Sequence, residues 1–247
     1  GNWYFLCKQA KGELLVKADG DDYSRPDRTE CIVRMWRESA ATNISSDCVA
    51  INAKGEVLYK KDLQRQGIGA VEAYSRASLD VFPPLDKRLV PNLLDDVVFS
   101  ERAKMIGLRA HVPEALVYYR IDTGVSSLMG GGYVNLMKRQ GLMQSACRRQ
   151  LLNDISAIGD LLRTEQIMNL KCKYALELRN YRLQYFIFAS SSFRRRLASF
   201  KRLDRQRFLP HWILLLLLLP PTLRDKVIDL LFRFAYILRI ARARLVS

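Results

Sequence analysis

Apolar and polar positions follow two registers along this chain, and the register changes near residue 130. Before that point, short apolar runs bounded by Gly, Pro and Asp alternate with stretches of three-to-four spacing. This pattern predicts strands interleaved with helices. Residues 2–10 read as the end of a helix, closed by Gly12, and Leu14–Ala18 as a short strand. Asp27–Ser39 has helical spacing through Ile32, Val33, Met35 and Trp36, with Pro26 near its first turn. Ser46–Asn52 and Glu56–Tyr59 read as strands joined by a Lys54-Gly55 turn, and Ala70–Tyr74 follows a loop marked by Gly67 and Gly69. Phe82 to Pro91 reads as a loop, Asp95-Asp96 opens a helix that ends at Gly107, and His111–Tyr119 is a strand. Gly124 to Gly132 is glycine-rich. Beyond Tyr133 the spacing predicts helices alone, at about 133–150, 151–168, 173–189, 193–206 and 222–243. The expected fold class is therefore α/β, followed by an all-helical region.

Charge sharpens that division. Of the formal net charge of +15, none comes from residues 1–128, which hold 18 Lys and Arg against 18 Asp and Glu. Residues 129–247 hold 22 against 7. A neutral first region suits a small-molecule site, and a basic second one suits an anionic surface. Five cysteines without CxxC spacing make a disulfide framework or zinc site improbable and fit a reducing compartment. The start, GNWYFLCKQAKGE, does not have the pattern of a signal peptide.

Two acidic clusters carry the candidate chemistry. In LLVKADGDDYSRP, an apolar strand leads into Asp19, Asp21 and Asp22. Carboxylates just past the C-terminal end of a strand sit where open α/β sheets bind ligands. The Asp-x-Asp spacing suits a hard divalent cation shared with phosphates. A polar turn before a helix explains the same residues as well. The second cluster is Asp95-Asp96. A carboxylate held there could serve as a general base, although simple stabilisation of the helix start is the more ordinary explanation.

The order KGELLVKADGDDYSRPDR, YSRASLDVFPPL, LDDVVFSERAKMIGLRAHVPEALVYYR and GVSS resembles the family 2 glycosyltransferases. The resemblance covers residues 1–128. It implies the C-terminal two-thirds of a GT-A domain, with a Rossmann-like mixed sheet. It implies that Asp19, Asp21, Asp22 and Arg120 bind a nucleotide-diphosphate sugar, and that Asp21 and Asp22 hold Mg2+ or Mn2+. It also implies that Asp96, with Asp95 beside it, is the catalytic base of an inverting transfer. The family's opening strands, which hold the nucleotide base, do not precede Gly1, so the sheet is expected to have an unpaired edge and the 247 residues alone to bind donor poorly. The family's His after the Tyr-Arg pair is replaced by a region with Asp122, and His111 is expected to be structural.

The second region adds a membrane expectation. Phe208–Leu219 is apolar but too short to span a bilayer. Residues 222–243 place Leu223, Val227, Leu230, Leu231, Phe234, Ile237, Leu238 and Ala241 on one broad face, with arginines and Lys226 over much of the rest. Such a helix lies in a membrane interface with acidic lipids. The expected partners are a nucleotide-sugar donor, a glycan or lipid-linked acceptor and a membrane surface, at the cytoplasmic face of the plasma membrane. Two other classes stay open: a non-catalytic scaffold derived from this fold, and a binder of anionic polymers such as RNA. The last is disfavoured because only Arg-Tyr interleaving at Arg179–Tyr185 supports it.

Overall fold

The structure is a computed structural model. It describes residues 2–64, 68–121, 132–190, 192–202, 219 and 222–231. Helix α1 (Asn2–Gln9) precedes β1 (Leu14–Val16) and β2 (Tyr23–Ser24). Then come α2 (Arg28–Ser39), β3 (Asn43–Ile51), β4 (Val57–Lys61), β5 (Glu72–Ser75) and the short α3 (Arg76–Asp80). Helix α4 (Asp95–Ile106) and strand β6 (Arg109–Arg120) complete the α/β part. Helices α5 (Gly132–Ala157), α6 (Thr164–Ala189) and α7 (Phe193–Arg202) follow, and 222–231 is helical.

The six strands form one mixed sheet in the order β1-β5-β3-β6-β2, with β4 pairing β3. β3 and β6 run parallel and β5 runs against both β1 and β3. β1, β3 and β6 therefore end on the same edge of the sheet, and β1 is the terminal strand of the order.

Strand alternation sorts the side chains onto two faces. Ile44, Ala73, Val112 and Leu116 pack with Leu14 and Val16 against Cys31, Ile32, Met35 and Trp36 of α2. On the other face Leu15 and Tyr74 join Cys7 of α1, Val98, Phe99 and Ala103 of α4, and Cys147, Leu151 and Ile155 of α5. The helical region thus shares a core with the sheet through α5, and Tyr174 of α6 belongs to the same cluster.

The helix boundary expected between 150 and 151 does not occur. Cys147, Leu151 and Ile155 form an i, i+4, i+8 stripe that is fully buried, so packing carries α5 through that point. Gln150 donates to Asp154 Oδ1 at 2.9 Å and accepts from the Asp86 N–H at 2.8 Å. The break falls instead at a 3-10 turn over Gly159–Leu161, and α6 then runs uninterrupted from Thr164. The expected helix over 222–243 is described only for 222–231, and the apolar run at Phe208–Leu219 lies almost wholly outside the described residues. Among the described residues, no helix is long and apolar enough to cross a membrane.

Candidate active site

One acid from each cluster, Asp19 and Asp96, lies near the same residue, Lys17, at the end of β1. Lys17 continues the β1 ladder, its N–H donating to the Glu72 carbonyl at 3.1 Å. Alternation puts it on the α4 face with Leu15, rather than on the α2 face with Leu14 and Val16. Its ammonium lies 3.2 Å from Asp19 Oδ1. The same ammonium lies 2.5 Å from the point where a Cβ on Gly69 would stand, and Asp96 Oδ2 lies 2.9 Å from that point. Asp19 and Asp96 therefore both approach Lys17, Asp19 as an ion pair and Asp96 across the Gly69 gap.

Asp96 reaches this position from the first turn of α4. Leu94 precedes the helix without a side-chain cap, and Asp95 Oδ1 accepts the Asp96 N–H at 3.0 Å. Asp96 Oδ1 accepts the Val97 N–H at 2.9 Å, which leaves Oδ2 facing Gly69. The residue thus supports the helix start, where negative charge is favourable, and presents an oxygen to the cleft. Burial raises the Asp95 carboxyl above its ordinary range, and neighbouring Asp96 adds to this against the pull of Lys17.

The loop after β1 folds back on the end of β6. Asp22 Oδ1 accepts the Arg120 N–H at 2.8 Å, and Arg120 Nη2 donates to the Tyr23 hydroxyl at 2.7 Å. Burial raises the Asp22 carboxyl, with Asp21 and Asp19 raising it further. Its second oxygen is shielded from solvent with no hydrogen-bond partner. Arg28 supports the loop from below, donating to the carbonyls of Lys17 at 2.6 Å and Ala70 at 2.8 Å. Asp21 is exposed. Asp122 and the Val125-Ser126-Ser127 stretch lie outside the described residues.

Sequence reasoning missed three residues here: Lys17, Gly69 and Glu72. Lys17 carried a signal, a charge placed in phase with the buried Leu15. Gly69 reads from the sequence only as loop punctuation. Glu72 is buried on β5 beside Tyr74, whose hydroxyl donates to it, and it accepts from Ser100 Oγ at 3.2 Å. Arg109 Nη2 stands 4.0 Å away. Burial raises the Glu72 carboxyl, and Asp96 is among the charges that add to this.

His111 lies apart from the acids of β1. Its Nδ1 is 2.9 Å from Ser45 Oγ, and its Nε2 is 3.0 Å from Asp47 Oδ1. Asp47, Asp62 and His111 place ligand atoms within 4.8 Å of one another. Asp47 also accepts the Leu63 N–H at 3.0 Å and pairs with Lys60 at 3.5 Å. These bonds tie β3, β6 and the end of β4 together at the irregular register between Ser46 and Cys48.

Gly69 has no room for a side chain. An alanine methyl there would stand 2.6 Å from Asp96 Cβ as well as against the Lys17 ammonium. Gly69→Ala is expected to cost about 1–3 kcal/mol by overpacking. Urea denaturation measures that cost, and amide chemical shifts should move at Lys17 and Asp96.

No protein-family model matches the chain, and no curated protein matches it. Solved structures of S. aureus TarS 1–349 are similar to it. The complex with UDP-GlcNAc has 17% identity and a TM-score of 0.42, over 81% of this chain and 66% of that one. The complex with UDP has 15% identity and a TM-score of 0.45, over 81% and 65%. A third TarS 1–349 structure has 16% identity and a TM-score of 0.42, over 86% and 57%. The chain thus spans under two thirds of the length of these chains at best.

Proposed function

We propose that the chain belongs to an inverting glycosyltransferase that moves a sugar from a nucleotide-diphosphate donor to a glycan or lipid-linked acceptor. The observation that carries this reading is the approach of Asp19 and Asp96 to the same Lys17 ammonium, at the strand-end edge of the sheet. Donor-side and acceptor-side chemistry need such proximity. In a single displacement the acceptor hydroxyl loses its proton as it attacks, opposite the departing diphosphate. Asp96 would take that proton on Oδ2. Asp19 and Arg120 would bind the donor, with Asp95 beside the base.

Asp21 and Asp22 would hold a divalent cation. The fit is favourable: the donors are all oxygen, which suits Mg2+ or Mn2+, and the buried Asp22 Oδ2 has no other partner. When bound, the cation would offset the negative charge that gathers on the leaving diphosphate. The test is calorimetric titration of the full-length protein with a UDP-sugar panel and Mn2+. Binding that needs the metal and is lost in Asp21→Ala supports the reading. Binding unaffected by either change overturns it.

The acceptor side has its own support. A concavity of about 460 Å3 is lined by Arg88, Leu142, Arg149, Arg182, Tyr185 and Phe186. Arginines beside exposed apolar and aromatic side chains suit an anionic headgroup with an apolar tail. The proposal therefore extends to a lipid-linked acceptor and a peripheral place on the cytoplasmic leaflet.

A further inference from the structure

Lys17 is a charged side chain on an inward-facing strand position, only 8% exposed. A buried ammonium is tolerated only when paired. Burial works to lower its pKa, but Asp19, Asp96 and Asp95 outweigh burial, and the net shift is upward. The group therefore remains a cation at neutral pH. It receives one carboxylate from its own loop and stands beside a second from the start of α4.

We propose that Lys17 is a positioning residue for the acceptor-side base: paired with donor-side Asp19, its ammonium attracts the Asp96 carboxylate across Gly69. The proposal rests on the reading of Asp96 as the base. The groups around Asp96 explain why a cation is needed there. Lys17 and Asp19 come from the end of β1, Glu72 and Tyr74 from β5, Asp95 from its own helix, and Cys147 from α5. Three of these are carboxyl groups, and Arg109 stands 4.0 Å from Glu72. Among these groups Lys17 alone is cationic. Removing its charge leaves Asp96 among like charges, where a swing toward solvent is the available relief.

The test has a kinetic arm and a substrate-free arm, both on the full-length protein. In Lys17→Met, kcat/KM should fall by about tenfold or more, and the midpoint of its acid limb should rise by about one pH unit. Lys17→Arg should restore most of the rate and return the limb toward its original position. A loss due only to packing would lower the rate at every pH without moving the limb. In the second arm, the Lys17 Nζ resonance is titrated in 15N-lysine-labelled protein. Its midpoint should fall in Asp96→Asn and in Asp19→Asn, because each variant removes a neighbouring negative charge. An unmoved acid limb in folded Lys17→Met overturns the proposal. So does an Nζ midpoint indifferent to Asp96→Asn, a result that can be read even if Lys17→Met does not fold. A coupled Nζ titration in a protein without transferase activity would instead overturn the role of Asp96 as a base, and so the functional reading beneath the proposal.

Discussion

Asp96→Asn is expected to lower kcat by about 10^2- to 10^4-fold, the usual contribution of a positioned general base. Asn is nearly isosteric with Asp. Its side-chain oxygen can still accept the Val97 N–H, as Asp96 Oδ1 does at 2.9 Å, so α4 keeps its start. What is lost is the basicity of Oδ2, the oxygen that faces Gly69 and the cleft. Donor affinity should not change, because the donor-side groups lie in the loop after β1 and at the end of β6. Steady-state rates together with calorimetry separate the two effects. A matching fall in donor affinity and kcat would place Asp96 on the donor instead. A fall of less than about tenfold would remove it from the chemistry.

Arg102→Ala is expected to have the largest effect on stability. Arg102 lies on α4 and donates to Asp154 of α5 through Nε at 2.8 Å and Nη2 at 2.7 Å. The Arg102 side chain is 2% exposed and that of Asp154 0%. A further bond runs from Arg102 Nη2 to the Pro83 carbonyl at 3.1 Å, and the guanidinium lies over the Phe82 ring at 5.0 Å. Removing Arg102 leaves a buried carboxylate with Gln150 as its remaining side-chain partner. Breaking such a pair from one side costs about 3–5 kcal/mol. The surface pair of Arg88 and Asp86, where Arg88 is 88% exposed, is the control. Its loss should leave stability almost unchanged. Urea denaturation of both variants makes the comparison. An Arg102→Ala cost as small as that of Arg88→Ala would show that α4 and α5 are not fixed by this pair. The result bears on function because α4 carries Asp95 and Asp96 at its other end.

The element order of the α/β part was legible in the chain because its signals are local. Gly55 takes a φ of 83° in the expected hairpin turn, and Asp95-Asp96 open α4. The helical junctions were less legible. Near 150 the sequence offers no cap, and the continuity of α5 depends on Leu151 and Gln150 finding partners in α4 and the 80s loop. The acids themselves could be picked out by type and spacing, but their surroundings could not. Lys17, Gly69 and Glu72 meet Asp96 only because β5 inserts between β1 and β3 in the sheet. That pairing joins segments distant in sequence, and no local pattern encodes it. The same holds for Ser45, Asp47 and His111, which meet through the parallel pairing of β3 with β6.

The most direct test of the convergent acid cleft is a crystal structure of the full-length protein with Mn2+ and a nucleoside diphosphate, read by the anomalous signal of the metal. The account predicts a peak coordinated by Asp21 and Asp22, with the diphosphate against it and Asp96 facing the same space from beside Lys17. A peak held by Asp47, Asp62 and His111 with none at Asp21, or a diphosphate bound away from Asp96, would contradict it.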